Sequence, residues 1–231
     1  MYTLHIANKN YSSWSLRPWV LMKALNIPFE EVLHKFGEED FKQFSPTGTV
    51  PCLYEEIKSK KESLILWDSL AIVDHLSETY KNIWPNDKAA RAWSRSACAE
   101  MHSGFTGIRN ACSMSCGVRV KLKEQTPALL KDIARLEELW EEGLNQFGGP
   151  FLAGKNFSAV DAMFAPVVFR IQTYGLTLSD TAQNYIETIL SHSAVKEWYD
   201  AAISEDFQEL AHEEWINNAG TIERDFRAAR K

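Results

Sequence analysis

Three serines, Ser12, Ser13 and Ser15, stand between a short apolar run, YTLHIA, and the first helical pattern of the chain. The start of a helix has unpaired backbone N–H groups and a dipole that favours negative charge. A serine at this position either caps the helix, as most such serines do, or donates its hydroxyl to an anion bound there. Arg17 and Pro18 fit the first turn, because proline needs no N–H there and the arginine can point along the helix. The pattern predicts helix caps or an anion site.

Two further segments could bind parts of a small ligand. In SPTGTVPCLYE, the Val50–Pro51 bond is a candidate for the cis isomer, which would leave the backbone of Val50 free to pair with an extended peptide. The alternative is an ordinary trans proline at a strand start. Asp68 and Ser69 begin another helix, where they could cap it or hold an ammonium and a carboxylate. Together with the serines, these features favour a site for a short zwitterionic peptide that is reactive at its middle.

Strand and helix patterns alternate over the first 80 residues in the order βαβ, then ββα, with a charged turn, IKSKKE, between the last two strands. From about residue 87, amphipathic helices follow one another with no convincing strand among them, and the segment 87–115 reads as one helix. The linker YKNIWPNDKAA separates the two patterns. We therefore predict an α/β domain over 1–82 and an all-α domain over 83–231, with a charged C-terminal tail that frays.

Composition narrows the class of protein. The formal charge of −6 offers no basic field for nucleic acid, and no apolar run is long enough to cross a membrane. The four cysteines are too few to staple a chain of 231 residues and are predicted to be free thiols. Cys112 and Cys116 have i, i+4 spacing on a predicted helix, but no further ligands accompany them, so they are interpreted as buried residues and no metal site is expected.

The motifs SSWSLR, SPTGTVPCL, DSLAIVDHL and FLAGKNFSAVDAMFAPVVFR, in this order, resemble the cytosolic glutathione transferases. The serine motif is similar to that of the zeta, tau and related bacterial and fungal members. The resemblance implies a thioredoxin-like N-terminal domain, an all-α C-terminal domain, glutathione as co-substrate, a homodimer and a cytoplasmic location. It also implies a role in detoxification, with no metal.

The resemblance also assigns glutathione contacts. Ser12 would donate to the glutathione sulfur, with Ser13 as the close competitor, and this hydroxyl would stabilise the attacking thiolate without acting as a base. Thr49 stands where relatives have Lys or Gln, so Lys35 or Gln43 could replace that contact to the glycine carboxylate. The other implied glutathione-binding residues are Val50, through its backbone, Pro51, as the cis residue, and Asp68 with Ser69 at the γ-glutamyl end.

The electrophile pocket is expected between the serine motif and the first long helix of the second domain. Trp14, His102, Phe105 and Arg109 are its candidate residues, with Met101 and Tyr174 as further possibilities. At helical spacing, Phe105 and Met101 more often belong to a core. His102 and Arg109 are better candidates, since burying either without a partner is costly, and Arg109 would suit an acidic co-substrate.

Two residues near the end of the fourth motif receive other interpretations. Ser158 and Asp161 fit a capping box and are interpreted as folding residues. Arg170 could pair with an acid or line the pocket, and a solvated or paired arginine is favoured.

The resemblance implies an enzyme that conjugates glutathione to small electrophiles or uses it to reduce them. One alternative is a glutathione-dependent isomerase, which is disfavoured because Trp14 and Thr173 stand where the zeta isomerases have Cys and Arg. The other alternative is a non-catalytic interaction module, because a fold by itself does not confer activity.

Overall fold

The computed structural model describes residues 1–57 and 63–227. Its first part alternates strands and helices as predicted, with a 3₁₀ turn at Phe41–Gln43. The elements are β1 (Tyr2–Ala7), α1 (Ser13–Ala24), β2 (Phe29–His34), β3 (Cys52–Glu56), β4 (Ser63–Trp67) and α2 (Ser69–Thr79). The sheet order is β2-β1-β3-β4, with β1 and β2 parallel and the other neighbours antiparallel. This mixed sheet confirms the thioredoxin-like fold class. Most of the predicted IKSKKE turn lies outside the described residues.

Seven helices of the described chain form the second part. They are α3 (Lys88–Ser103), α4 (Thr106–Ala111), α5 (Pro127–Phe147), α6 (Ala159–Tyr174), α7 (Asp180–Ser191), α8 (Ser193–Ser204) and α9 (Leu210–Ala219). Helix α6 is buried along almost its whole length. The Asp161 carboxylate accepts the backbone N–H of Ser158 at 3.0 Å, as the predicted capping box requires. This hydrogen bond caps the N-terminus of α6.

Helix α1 joins the two parts of the molecule. Its residues Ser15–Met22 are all buried, because the sheet and α2 cover one side while α6 and α8 cover the other. A helix that is covered on both sides has no solvated face, which explains the apolar run WVLM after Pro18. The packing leaves the N-terminal end of α1 facing the junction between the two parts.

The second part also contains strands, so the prediction of an all-helical segment was wrong in this detail. Strand β5 (Val118–Leu122) pairs antiparallel with β6 (Gly220–Asp225). The predicted fraying of the tail was therefore wrong for the residues of β6, while residues 228–231 lie outside the described chain. The alternation of buried Val118 and Val120 in β5 was a strand signal that the helical surroundings obscured.

The helix predicted over 87–115 is interrupted. It breaks between α3 and α4, where Gly104 ends the first helix and Phe105 adopts a left-handed conformation with φ 54°. Cys112 follows the last residue of α4 and Cys116 lies in a loop, so the two do not share a helix. All four cysteines are nevertheless free and buried, as predicted.

Two features are absent from the described residues, 1–57 and 63–227. No helix among them is both long and apolar enough to cross a membrane. Within the same residues, no group of three or more His, Cys, Asp or Glu side chains is arranged to hold a metal ion.

Candidate functional site

A cavity of about 480 Å³ opens at the N-terminal end of α1. Both parts of the chain contribute to its wall, since it lies between the α1 start, the loop before β3 and the helical part. The lining residues are Tyr11, Ser12, Ser13, Trp14, Phe36, Phe41, Gly48, Thr49, Val50, Arg109, Ser113, Met114, Arg170, His212 and Trp215. Six of the twelve predicted site residues therefore line this cavity. They are Ser12, Ser13 and Trp14 of the serine motif, Thr49 and Val50 of the loop before β3, and Arg109 of α4.

Ser12 occupies the N-cap position of α1, but its side chain does not accept a hydrogen bond from the helix backbone. Its hydroxyl instead donates to the Ser15 hydroxyl, with 2.7 Å between the oxygens. The Ser15 hydroxyl also accepts the backbone N–H of Ala7 at 3.3 Å, which ties α1 to β1. The capping alternative thus does not describe Ser12, and Ser15 has the structural role.

Ser13 is in contact with Arg170, for which the sequence favoured a solvated or paired role over a place in the pocket. The Arg170 Nη2 group donates to the Ser13 hydroxyl oxygen at 3.4 Å, and Nη1 donates to the carbonyl of Cys112. Arg170 is only 8% exposed and has no carboxylate within 4 Å in the described part of the chain. The prediction of a solvated or paired Arg170 was wrong, because α6 is central and directs this side chain into the cavity wall.

The loop before β3 forms a second wall. The Val50–Pro51 bond is cis, as predicted. Thr49 lines the cavity and its hydroxyl lies 2.7 Å from that of Thr47. Lys35 is not among the lining residues; its ammonium lies 3.7 Å from a Glu38 carboxylate oxygen. Lys35 is thus exposed outside the cavity.

Asp68 and Ser69 lie at the start of α2, away from the cavity lining. Asp68 caps this helix by accepting the backbone N–H of Leu70 at 2.8 Å, and it has a left-handed φ of 73°. Ser69 is fully buried, and its hydroxyl oxygen accepts a hydrogen bond of 3.3 Å from Arg17 Nη1. Arg17 therefore links the starts of α1 and α2.

Trp14 connects the cavity to this second region. The guanidinium carbons of Arg17 and Arg109 lie 4.1 and 4.8 Å from the centre of its ring. His102 packs edge-on against the same ring at 5.2 Å, and its Nε2 lies 3.2 Å from an Asp68 carboxylate oxygen. Burial lowers the pKa of His102 below its ordinary value despite this carboxylate. His102 thus lies behind Trp14 and does not line the cavity.

The remaining candidates belong to the core. Phe105 is 5% exposed and packs edge-on against Phe164, with the ring centres 6.2 Å apart. Met101 is buried in the same core cluster. The hydroxyl of Tyr174 lies 3.3 Å from that of Ser113 and is also buried. The structure thus places Phe105 outside the predicted pocket, as the core alternative proposed.

Helix α9 supplies residues that sequence reasoning missed. His212 stacks on the ring of Tyr11, with 4.9 Å between the ring centres, and the Tyr11 hydroxyl donates to Glu213 at 2.7 Å. Trp215 donates its indole N–H to the carbonyl of Asn110 at 3.1 Å. No motif marks these residues, because their place at the cavity depends on long-range packing of a short helix.

The arrangement is suited to an anion. The start of α1 contributes the positive end of the helix dipole, while the Ser13 N–H already donates to the Tyr11 carbonyl at 2.9 Å. Ser12, at the N-cap, and Arg170 both line the cavity, and the Arg170 guanidinium donates to the Ser13 hydroxyl. A thiol placed here would be shifted toward its thiolate, which is the nucleophilic form.

Two family models match the chain and together cover more than half of it. The N-terminal domain of glutathione S-transferases matches residues 11–79, and the C-terminal domain matches residues 120–201.

Known proteins and structures agree with these matches. Glutathione S-transferase GstB of Escherichia coli is 25% identical over 209 residues, covering 81% of this chain and 93% of that protein. Glutathione S-transferase Z2 of Arabidopsis thaliana is 25% identical over 172 residues, covering 69% of this chain and 74% of that protein. The solved structure of a Burkholderia glutathione transferase homologue with bound glutathione has the same fold, with a TM-score of 0.64 and 19% identity over 87% of this chain and 97% of that one. Since both domain models match in the expected order, the chain belongs to the glutathione S-transferase family.

Proposed function

We propose that the chain is an enzyme that binds glutathione and activates its thiol for attack on a small electrophile. The observation that carries the proposal is the Ser12 hydroxyl, which stands at the start of α1, borders the cavity and does not cap the helix. Its bond to Ser15 can be exchanged for one to a sulfur, because a hydroxyl proton rotates freely.

In this proposal glutathione lies along the loop before β3. The backbone of Val50 pairs with its cysteinyl unit as an added strand would, and Thr49 lies toward its glycine end. Asp68 and Ser69, at the start of α2, hold the γ-glutamyl ammonium and carboxylate. Binding puts the thiol at the start of α1, where Ser12 donates to the sulfur and Ser13 is the competing donor.

The reaction follows from this placement. The thiol loses its proton to solvent, because the helix dipole and the hydroxyl stabilise the thiolate. The thiolate then forms a bond to the electrophilic carbon, and the bond to the leaving group breaks with its electron pair. We infer that Trp14 and Arg109 border the bound electrophile, with His102 behind Trp14.

Several properties are carried over from the family as part of this proposal. They are a division at residues 82 and 83, a homodimer, a cytoplasmic location and a role in detoxification. The bound glutathione in the Burkholderia homologue supports glutathione as the ligand of this chain.

Two measurements test the proposal. Glutathione should bind in isothermal titration calorimetry, and at 100 times its Kd it should stabilise the chain by about 2.7 kcal/mol. A neutral electrophile such as 1-chloro-2,4-dinitrobenzene should then be conjugated faster than in solution. Ser12→Ala should slow this conjugation, and Ser103→Ala is its matched control, because the exposed Ser103 hydroxyl donates only to the Ala99 carbonyl of its own helix.

Each outcome separates the proposal from its alternatives. Absence of glutathione binding would overturn it. Binding without conjugation or reduction of any electrophile would favour the interaction module. Turnover confined to double-bond isomerisation would favour the isomerase.

A further inference from the structure

Three arginines surround the aromatic ring of Trp14 and the neighbouring serines. Arg17 and Arg170 are buried, and Arg109 is partly buried. Arg17 and Arg109 stack on Trp14, while Arg170 reaches Ser13. The three belong to α1, α4 and α6, so only the tertiary structure brings their charges together.

In the described part of the chain, no carboxylate oxygen lies within 4 Å of any of the three guanidinium groups, and the carboxylates of Asp68 and Asp132 act on Arg17 and Arg109 only from a greater distance. Arg109 donates to the carbonyls of Met101 and His102 at 2.5 and 2.9 Å. The carboxylate of Asp132, which faces the same helix, instead accepts the backbone N–H of Ile108. A carbonyl oxygen accepts a hydrogen bond from a guanidinium and orients it, but it does not neutralise the positive charge.

A cluster of buried like charges is costly unless an anion joins it. Burial, together with the charges of Arg109 and Arg170, lowers the pKa of Arg17 to about 9. Burial likewise lowers the pKa of Arg170 to about 10, with Arg109 acting in the same direction. Arg17 has the Ser69 hydroxyl and the nearby charge of Asp68, which leaves Arg109 and Arg170 as the cationic groups at the cavity.

The rest of the cavity wall is mostly aromatic and apolar. Phe36 and Phe41 stand on the sheet side, and Met114 and Trp215 stand on the helical side. An apolar wall with a small number of charged groups selects a ligand with a flat apolar body and a charged end.

We propose that the electrophile is an acid with a flat, apolar body, whose carboxylate binds at Arg109 and Arg170. The inference rests on the proposed function and names the substrate class of the same cavity. The charges balance for a monoanion: the two guanidinium groups of Arg109 and Arg170 together offset the glutathione thiolate and one carboxylate, and among the described residues the Nε and Nη1 groups of Arg109 remain free to donate. A guanidinium recognises a carboxylate with two parallel hydrogen bonds, which a neutral electrophile cannot accept in the same way.

A pair of nearly isosteric electrophiles tests the charge alone. The pair is 4-chloro-3,5-dinitrobenzoate and 4-chloro-3,5-dinitrobenzamide. With either compound the thiolate forms a C–S bond, the C–Cl bond breaks and chloride leaves with the electron pair. We expect kcat/KM, divided by the rate constant in solution, to favour the acid over the amide by about tenfold or more, equivalent to about 1.4 kcal/mol.

Variants of the arginines then identify which residues cause the preference for the acid over the amide. Arg109→Gln and Arg170→Gln should each reduce the acid-to-amide ratio at least fivefold, whereas Arg170→Lys should retain more of it than Arg170→Gln. Arg224→Gln is the matched control, since it removes one exposed arginine charge from β6 outside the cavity lining. Circular dichroism melting curves identify any variant that fails to fold, and the wild-type ratio tests the inference without any variant.

A binding measurement separates this inference from the proposed function. Calorimetry with 3,5-dinitrobenzoate and 3,5-dinitrobenzamide, which lack the leaving group, requires no catalysis. Tighter binding of the benzoate, lost in Arg109→Gln, would support the anion site even in a chain that does not bind glutathione.

Three results would overturn the inference. One is equal binding of the two compounds to the wild-type protein. Another is an equal loss of kcat/KM for acid and amide in the variants, which would assign the arginines to the thiolate. The third is weaker binding of glutathione in the variants with an unchanged benzoate affinity, which would assign them to glutathione.

Discussion

Replacing Ser12 with alanine should raise the pKa of the glutathione thiol in the complex. A hydrogen bond from a neutral donor to a charged acceptor contributes about 1.5–3 kcal/mol. In the ligand-free chain the Ser12 hydroxyl donates to the Ser15 hydroxyl, with 2.7 Å between the two oxygens. Breaking this neutral hydrogen bond costs about 1 kcal/mol. The net contribution is therefore about 0.5–2 kcal/mol. It corresponds to a rise of about 0.4–1.5 in the pKa of the bound thiol.

The assay is an ultraviolet titration of thiolate absorbance with the protein saturated by glutathione. Ser12→Ala should show the rise, and kcat/KM for a neutral electrophile at neutral pH should fall by about 2–30-fold. Ser13→Ala serves as the matched comparison, because it removes the adjacent hydroxyl, which accepts from Arg170 at 3.4 Å. A smaller rise is expected for this variant.

The Ser15→Ala variant adds a second check. It removes the acceptor that competes for the Ser12 proton, so the pKa of the bound thiol should stay level or fall. A rise in Ser13→Ala with no change in Ser12→Ala would refute the reasoning and make Ser13 the donor to the sulfur.

Two further predictions concern Asp68 and Asp161. Asp68→Asn keeps an oxygen for the Leu70 N–H and is tolerated at φ 73°, whereas Asp68→Ala removes the cap. Both should weaken glutathione binding about tenfold in calorimetry, but only the alanine variant should lower the free energy of unfolding in urea, by about 1 kcal/mol; unchanged glutathione affinity in both would contradict the role of Asp68. For Asp161, burial raises the pKa from 3.8 to about 6, so its ionised form destabilises the native state by about 3 kcal/mol above pH 6, and this penalty disappears toward pH 4. Urea unfolding above pH 6 and near pH 4 should show that acidification raises the free energy of unfolding of the wild-type protein more than that of Asp161→Asn. An equal pH dependence of the two proteins would refute the raised pKa of Asp161.

The sequence alone was sufficient for the family and for the order of the elements over the first 80 residues. Strand alternation, helical periodicity and the start signals at Ser12, Asp68 and Asp161 are local, since they depend on residues within a few positions of one another. The cis Val50–Pro51 bond was also predicted from local chemistry. These signals place the serine motif at a helix start and the loop before β3 at a strand start.

The tertiary structure decided which of these residues share a cavity. Arg170 stands in a buried helix, far along the chain from Ser13, and its sequence neighbours do not distinguish a cavity residue from a paired one. The same limit applies to Trp215 on α9 and to the pairing of β5 with β6, because each depends on contacts between segments about 100 residues apart. Sequence types and spacing thus determined the chemistry available to this chain, while packing of α1 against α6 determined where the charges meet.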